Sequence, residues 1–168
     1  MKQHFSITPR IIAHFGEDLI KNESIAILEL VKNSYDACAT ECKVEFYSRN
    51  KELEKIVISD NGFGMNANII KNVWLVVGTN HKKNAKKNQC GRYPLGEKGI
   101  GRLGVHKLGK KIRLFSKTIN DKEVELSIDW TELENAKQID DFDIDVIENT
   151  VPKQYSKNNT GTTIIIEE

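Results

Sequence analysis

The sequence is short of the features that usually declare a class. No sign of charge is in excess: 25 Lys and Arg stand against 24 Asp and Glu, a net charge of +1. Charge balance therefore gives no drive toward nucleic acid or membrane. Cysteine is scarce, with Cys38, Cys42 and Cys90 at irregular spacing. An odd, irregular set argues against a disulfide framework. Cys38 and Cys42 could share a helical face, yet two thiols do not complete a four-ligand zinc site. The expectation is reduced thiols in a cytoplasmic protein. No apolar run is long enough to cross a bilayer, and Met1-Lys2-Gln3-His4-Phe5 carries no signal-peptide core. Internal repeats and low-complexity tracts are lacking too. Gly-x-x-x-x-Gly-Lys-Ser/Thr occurs nowhere, which excludes a P-loop.

What is present suits one soluble globular domain over residues 1–168. Hydrophobic residues make up 39% and charged residues 29%, enough apolar mass for a real core. The chain is organised around Glu29-Leu30-Val31-Lys32-Asn33-Ser34-Tyr35-Asp36-Ala37. Ile25, Leu28, Val31 and Tyr35 recur at helical spacing and predict an amphipathic helix from Asn22 to about Ala39. Asn22 suits the N-cap and Glu23 the first turn. Glu29 and Asn33 are then i and i+4 on one face. The Asn33 amide oxygen suits Mg²⁺, and Glu29 suits a base for a water beside that cation. Taken alone, the same pattern describes a solvated polar face.

Two glycine-rich stretches follow. Glu54–Ser59 reads as a strand, with Ile56 and Ile58 on one face and Val57 on the other. It runs into Asp60-Asn61-Gly62-Phe63-Gly64-Met65. Asp60 would end the strand, where α/β sheets place binding groups, and its carboxylate suits an exocyclic amine such as adenine's. A plain Asx turn fits the same residues. Farther on, Gly96-Glu97-Lys98-Gly99-Ile100-Gly101-Arg102-Leu103-Gly104 precedes a helical stretch through Val105 and Leu108. Exposed backbone N–H groups there suit an anion, with Lys98 or Arg102 adding charge.

The remaining elements are predicted from local pattern. His4–Ile7 is a short strand or arm, and Thr8-Pro9 opens a short helix over 10–15. Lys43–Tyr47 alternates as a strand, and Ser48–Lys51 turns. Asn66 caps a helix through Trp74. Lysines 82, 83, 86 and 87, without interleaved aromatics, read as a solvated loop rather than a nucleic-acid patch. Strands are expected over 110–117, 123–130, 140–147 and 160–166, with a loop or short helix at 131–138. Late strands after early helices imply a mixed, largely antiparallel sheet with helices on one face.

Glu29-x-x-x-Asn33-Ser34-x-Asp36-Ala37, Asp60-x-Gly62-x-Gly64-Met65, Gly96-x-x-Gly99-x-Gly101 and Gly161-Thr162, in this order, resemble the GHKL superfamily. Its members include gyrase B, the ninety-kilodalton heat-shock chaperone, sensor histidine kinases and MutL. The resemblance implies an α/β two-layer sandwich, the Bergerat fold, holding ATP and Mg²⁺. By the resemblance Asn33 is the Mg²⁺ ligand, and Asp60 takes the adenine amine with Thr162 helping through water. Gly62 and Gly64 shape the floor, and Met65 packs on the base. Gly96, Lys98, Gly99, Ile100 and Gly101 belong to a phosphate-holding lid. Asp36 belongs to the same cofactor-binding set, and Glu29 is the catalytic base.

The Glu29-to-Asn33 pairing followed by Asp36-Ala37 leans toward the hydrolysing branch, which includes MORC-like ATPases. His4, His14, His81 and His106 are scattered, and none stands out as a phosphoacceptor. Hydrolysing members receive a Lys or Arg from a downstream domain. The expectation is therefore the N-terminal fragment of a longer ATPase, slow in isolation, with lid closure, an ATP-dependent homodimer and a nucleic-acid or protein client. The alternatives are a histidine protein kinase catalytic domain and a non-hydrolysing nucleotide sensor.

Overall fold

In a computed structural model, residues 8–12, 14, 20–77, 87–96 and 101–168 are described. Residues 10–12 and 14 are helical, as the Thr8-Pro9 start predicts, and Pro9 is fully buried. The expected arm at 4–7 and most of the lysine-rich loop lie outside the described residues.

The long helix α1 spans Glu23–Asp36. Asn22 caps it as expected, its side chain accepting from Ile25 N at 3.0 Å. It ends about a turn short of Ala39, because Cys38 takes a left-handed conformation (φ 63°) that breaks the helical path. The buried stripe is not the predicted one. Ala26, Leu30 and Ser34 face inward, whereas Ile25, Leu28 and Tyr35 are 36%, 46% and 39% exposed. The cause is a close neighbour, the 3₁₀ helix Gly101–Lys107. A side chain at Gly104 would press on Ala26, so small residues of α1 must turn toward it.

Six strands form one sheet: β1 (Cys42–Arg49), β2 (Glu52–Asp60), β3 (Lys111–Lys117), β4 (Glu123–Asp129), β5 (Val146–Asn149) and β6 (Gly161–Glu167). Their order is β1-β2-β6-β3-β4-β5, and each neighbouring pair is antiparallel. The β1–β2 hairpin turns through Asn50 and Lys51, with φ of 52° and 72°, the signature of the turn that matches strand twist. The sheet inserts the final strand β6 between β2 and β3. That crossing brings Thr162 beside Asp60, two residues about a hundred positions apart in the chain.

Alternation decides the two faces. Ile56 and Ile58 of β2, Ile112 and Leu114 of β3, Leu126 and Ile128 of β4, and Ile164 and Ile166 of β6 are all buried in one core. Ala26 and Leu30 of α1, Val105 of the 3₁₀ helix and Leu108 just after it cover it. This is the two-layer α/β sandwich, with helices on one face.

Asn66 caps a short helix, α2 (Ala67–Ile69), accepting from Ile69 N at 3.0 Å. It continues as a π turn over Ile70–Trp74. A further helix, α3 (Trp130–Asn135), fills the region left open as loop or helix. The strand expected over 140–147 is mostly not one. Residues 139–141 form a 3₁₀ turn and pairing starts only at Val146. Phe142, Ile144 and Val146 alternate because they pack on the core edge, and alternation alone does not supply a hydrogen-bonding neighbour.

The opposite sheet face carries a smaller cluster of Phe115, Ile165 and Val57 under Tyr155. Glu123 holds Tyr155 there. Its buried carboxylate accepts from the backbone N–H groups of Lys153 (2.7 Å), Gln154 (2.8 Å) and Tyr155 (2.9 Å) and from the Asn149 amide (3.1 Å). Burial alone would push this carboxyl up, but those four donors outweigh it and hold it below the ordinary glutamate value. A depressed native pKa stabilises the fold above the unfolded value, and that contribution is lost as pH falls through the native value. Glu123→Gln turns an acceptor into a donor facing N–H groups. We expect a loss of about 2–4 kcal/mol in urea unfolding at neutral pH. The wild-type advantage over the variant should shrink as the medium is acidified below the ordinary glutamate range.

Candidate functional site

A cavity of about 700 Å³ opens between α1, the C-terminal end of β2, the α2–π segment and the 3₁₀ helix. That volume lies within the range of small-molecule sites, about 300–1,000 Å³. Its wall includes Glu29, Asn33, Asp36, Asp60, Gly64, Met65, Gly96, Gly101 and Thr162 from the predicted set. Lys98, Gly99 and Ile100 lie outside the described residues. Met65, Ile69, Val73 and Trp74 make one side apolar.

Asp60 sits at the bottom. Its Oδ1 accepts from Gly62 N at 2.8 Å and Thr162 N at 3.2 Å, and its Oδ2 accepts from Ser34 Oγ at 2.9 Å. A carboxylate has about four acceptor positions, so one remains, on Oδ2. Burial raises the Asp60 pKa, and the Gly62, Ser34 and Thr162 donors offset only part of that. The folded chain thus carries a desolvated charge with one unsatisfied acceptor, lining a cavity.

The turn after Asp60 requires glycine. Gly64 has φ +68°, and a Cβ there would overlap the Lys117 carbonyl. Gly62 does not line the cavity. Its N–H serves Asp60, and Phe63 N donates to Ala37 O at 2.9 Å, tying the turn to the end of α1. Met65 N donates to the buried Ser116 Oγ at 2.8 Å, and Ser116 also meets Thr162 Oγ1 at 2.8 Å. Tyr155 reaches the same corner from the far face, its hydroxyl donating to Asp60 O at 3.3 Å. Ser34, Ser116 and Tyr155 escaped sequence reasoning as individual residues. Ser34 lies within the Glu29–Ala37 motif, but Ser116 and Tyr155 become relevant only through strand register.

Glu29 stands more than one helical turn before Ser34, well along the cavity from Asp60. Its Oε1 is 2.6 Å from Lys32 Nζ, a pair the sequence reading did not assign. Gly101 packs on Glu29 so closely that a Cβ would lie 2.8 Å from Oε2. The Asn33 amide has no hydrogen-bond partner among the described residues. No cluster of three or more His, Cys, Asp and Glu suited to a metal exists among the described residues. The donor set therefore fits Mg²⁺ only as an ion that brings phosphate and water ligands with it, Asn33 adding one oxygen.

Asp36, in the cavity wall, also holds the 87–96 segment. Its carboxylate accepts from Leu95 N at 2.7 Å and Gly96 N at 3.2 Å. Asn88 donates to Asp36 O at 3.1 Å, and Arg92 donates to Ala39 O at 2.8 Å while stacking over Tyr35. A disulfide joins Cys38 to Cys90, across 52 residues. The expectation of three reduced thiols is thereby corrected: only Cys42 is free among them. The pairing was invisible in sequence because it depends on residues 87–96 folding back over the end of α1. The thiol argument for a cytoplasmic location falls with it. No described helix is long and apolar enough to cross a membrane. His106 serves structure, with Nε2 at 2.8 Å from Glu134 and its ring edge-on to Trp130.

Residues 21–162 match the family described as histidine kinase-, DNA gyrase B-, and HSP90-like ATPase. The chain belongs to that family, and its fold is that of an ATP-binding module. It is also similar to a putative type II restriction enzyme, HgiDII, of Herpetosiphon aurantiacus, at 31% identity over 111 residues. The similarity spans 66% of this chain and 17% of that relative.

Closing a loop of this length by a disulfide stabilises by about 2–4 kcal/mol, chiefly through the unfolded state. Cys90→Ser is expected to lose that much in denaturant unfolding without reductant. In excess dithiothreitol, wild type and variant should unfold together.

Proposed function

We propose that this chain is the ATP·Mg²⁺-binding and ATP-hydrolysing module of a larger GHKL ATPase. The observation that carries the reading is the unfilled acceptor position on Asp60 Oδ2, lining the cavity that Glu29 and Asn33 also line. The adenine amine supplies the missing donor. Met65, Ile69, Val73 and Trp74 offer the apolar surface a purine needs. Thr162, with Oγ1 tied to Ser116, would hold a water to the ring. The triphosphate then runs along α1 toward Glu29, and Asn33 adds an oxygen to the magnesium that travels with it.

Bound Mg²⁺ would neutralise charge developing on the phosphates. Glu29 accepts a proton from the attacking water, and Lys32 holds its carboxylate in place. Asp36 acts by anchoring the 87–96 segment, including the Gly96 N–H that a phosphate would otherwise take. ATP-driven closure and homodimerisation in the longer protein belong to the same proposal. The named relative is a putative restriction enzyme, and this favours a DNA-acting protein as the setting. Turnover of the full-length protein with and without duplex DNA tests that.

Asp60→Asn keeps the shape and removes the charge. Calorimetric titration is expected to show ATP affinity falling at least tenfold, about the worth of one charge-assisted hydrogen bond. Wild-type affinity should decline as pH falls through the raised Asp60 pKa. Stability has the opposite sign. A raised carboxyl pKa means the native state loses stability as pH rises through that window, so Asp60→Asn should melt no lower than wild type at neutral pH. Unchanged affinity in the variant would refute the pocket.

Glu29→Gln should retain ATP binding and lose turnover by about 10²–10⁴-fold in the full-length protein. With γ-labelled ATP, release of free phosphate supports hydrolysis. Label retained on protein supports the kinase alternative, and neither outcome with intact binding supports a nucleotide sensor.

A further inference from the structure

We propose that Lys117 is a positioning residue for the base end of the cavity. Its ammonium clasps the 157–159 stretch that leads Thr162 to Asp60, and so sets the direction of the acceptor that reads the nucleobase. This role rests on the ATP reading above.

Lys117 ends β3 and stands opposite Gly161, the first residue of β6. It is only 4% exposed, unusual for a lysine, whose head group normally reaches water. Nζ donates to three backbone carbonyls: Thr118 O at 3.1 Å, Lys157 O at 3.0 Å and Asn159 O at 3.3 Å. An ammonium has three donors, so all are used. No carboxylate lies within ion-pair distance of Nζ among the described residues. A buried cation without a counter-ion is costly, and here only carbonyl dipoles offset the cost. A strand end does not need such a group.

What the clasp holds is the base end of the cavity. One residue past Asn159, Thr160 Oγ1 donates to Gly62 O at 2.7 Å. Gly161 O accepts from Ser116 Oγ at 3.0 Å, and Thr162 N donates to Asp60 Oδ1 at 3.2 Å. The Lys117 carbonyl meanwhile lies against Gly64, and Gly161 lies against the Asp60 carbonyl, each too closely for a Cβ. One lysine therefore joins two walls, its side chain on the 157–159 stretch and its backbone on the 62–64 turn. Without the ammonium, three inward carbonyls lose their donor and the stretch must shift to reach water. The Thr162 N–H shifts with it, and the open acceptor of Asp60 loses its fixed direction.

Lys117 acts through Asp60 and Thr162, so the test reads selectivity as well as affinity. Calorimetry compares ATP with inosine triphosphate, which offers an acceptor where adenine offers its amine. Wild type is expected to prefer ATP by about tenfold to a hundredfold, the worth of one hydrogen bond to a charged group. Lys117→Met, close in shape and uncharged, should lose most of that preference. Lys117→Ala should lose it too and regain it in ammonium chloride, but not in tetramethylammonium chloride at equal ionic strength, whose cation is too large for the carbonyl cage. An intact preference in Lys117→Met would overturn the assignment. So would equal weakening of both ligands, the mark of general loosening, or a loss in Lys117→Ala that ammonium does not restore. If neither variant folds even in ammonium chloride, Lys117 serves stability alone and the assignment is likewise overturned. If wild type bound neither nucleotide, the ATP reading itself would fall, an outcome distinct from the rest.

Discussion

The site depends on one half-buried carboxylate held by three parts of the chain. Asp60 ends β2, receives an N–H from its own turn, a second from β6 and a hydroxyl from α1. No local stretch can assemble that set. It exists only because β6 inserts between β2 and β3 while α1 lies across the sheet. The carboxylate is therefore a product of the completed fold, and its remaining acceptor is a cost that folding alone does not offset. Such a cost is the usual mark of a group kept for a ligand rather than for stability.

Support reaches that carboxylate from behind. Glu123 secures the 153–155 backbone, which carries Tyr155 onto the second face of the sheet. The Tyr155 hydroxyl then meets Thr163 Oγ1 at 2.8 Å and the Asp60 carbonyl. A buried acid far from the cavity thus fixes the backbone on which the cavity's own acid stands. Packing, hydrogen bonding and site geometry form one chain of cause here, and the helical layer is only half of it.

Much of this was legible in the sequence wherever the signal is local. Asn22 and Asn66 announced their helices because capping uses neighbours within a turn. Gly62 and Gly64 announced the tight turn, and alternation at Ile56, Ile58, Ile112 and Leu114 announced the core face. Where tertiary partners decide, the sequence misled. Ile25, Leu28 and Tyr35 look like a core stripe, yet Ala26, packed close to Gly104 of a distant 3₁₀ helix, turns inward with Leu30 instead. Phe142 and Ile144 alternate without pairing. Ser116 and Tyr155 carried no local mark of their place beside Asp60. Lys32 resembled any surface lysine until Glu29 was placed next to it.

The covalent link between Cys38 and Cys90 has a practical meaning beyond its contribution to folding. It sets how far the 87–96 segment can travel from the end of α1, where Asp36 also grips it. Material purified with a thiol reagent and material purified without one are two chemical species with different tethers at the mouth of the same cavity. Affinities and turnover numbers obtained from the two preparations describe different molecules, and the oxidation state belongs beside each reported constant.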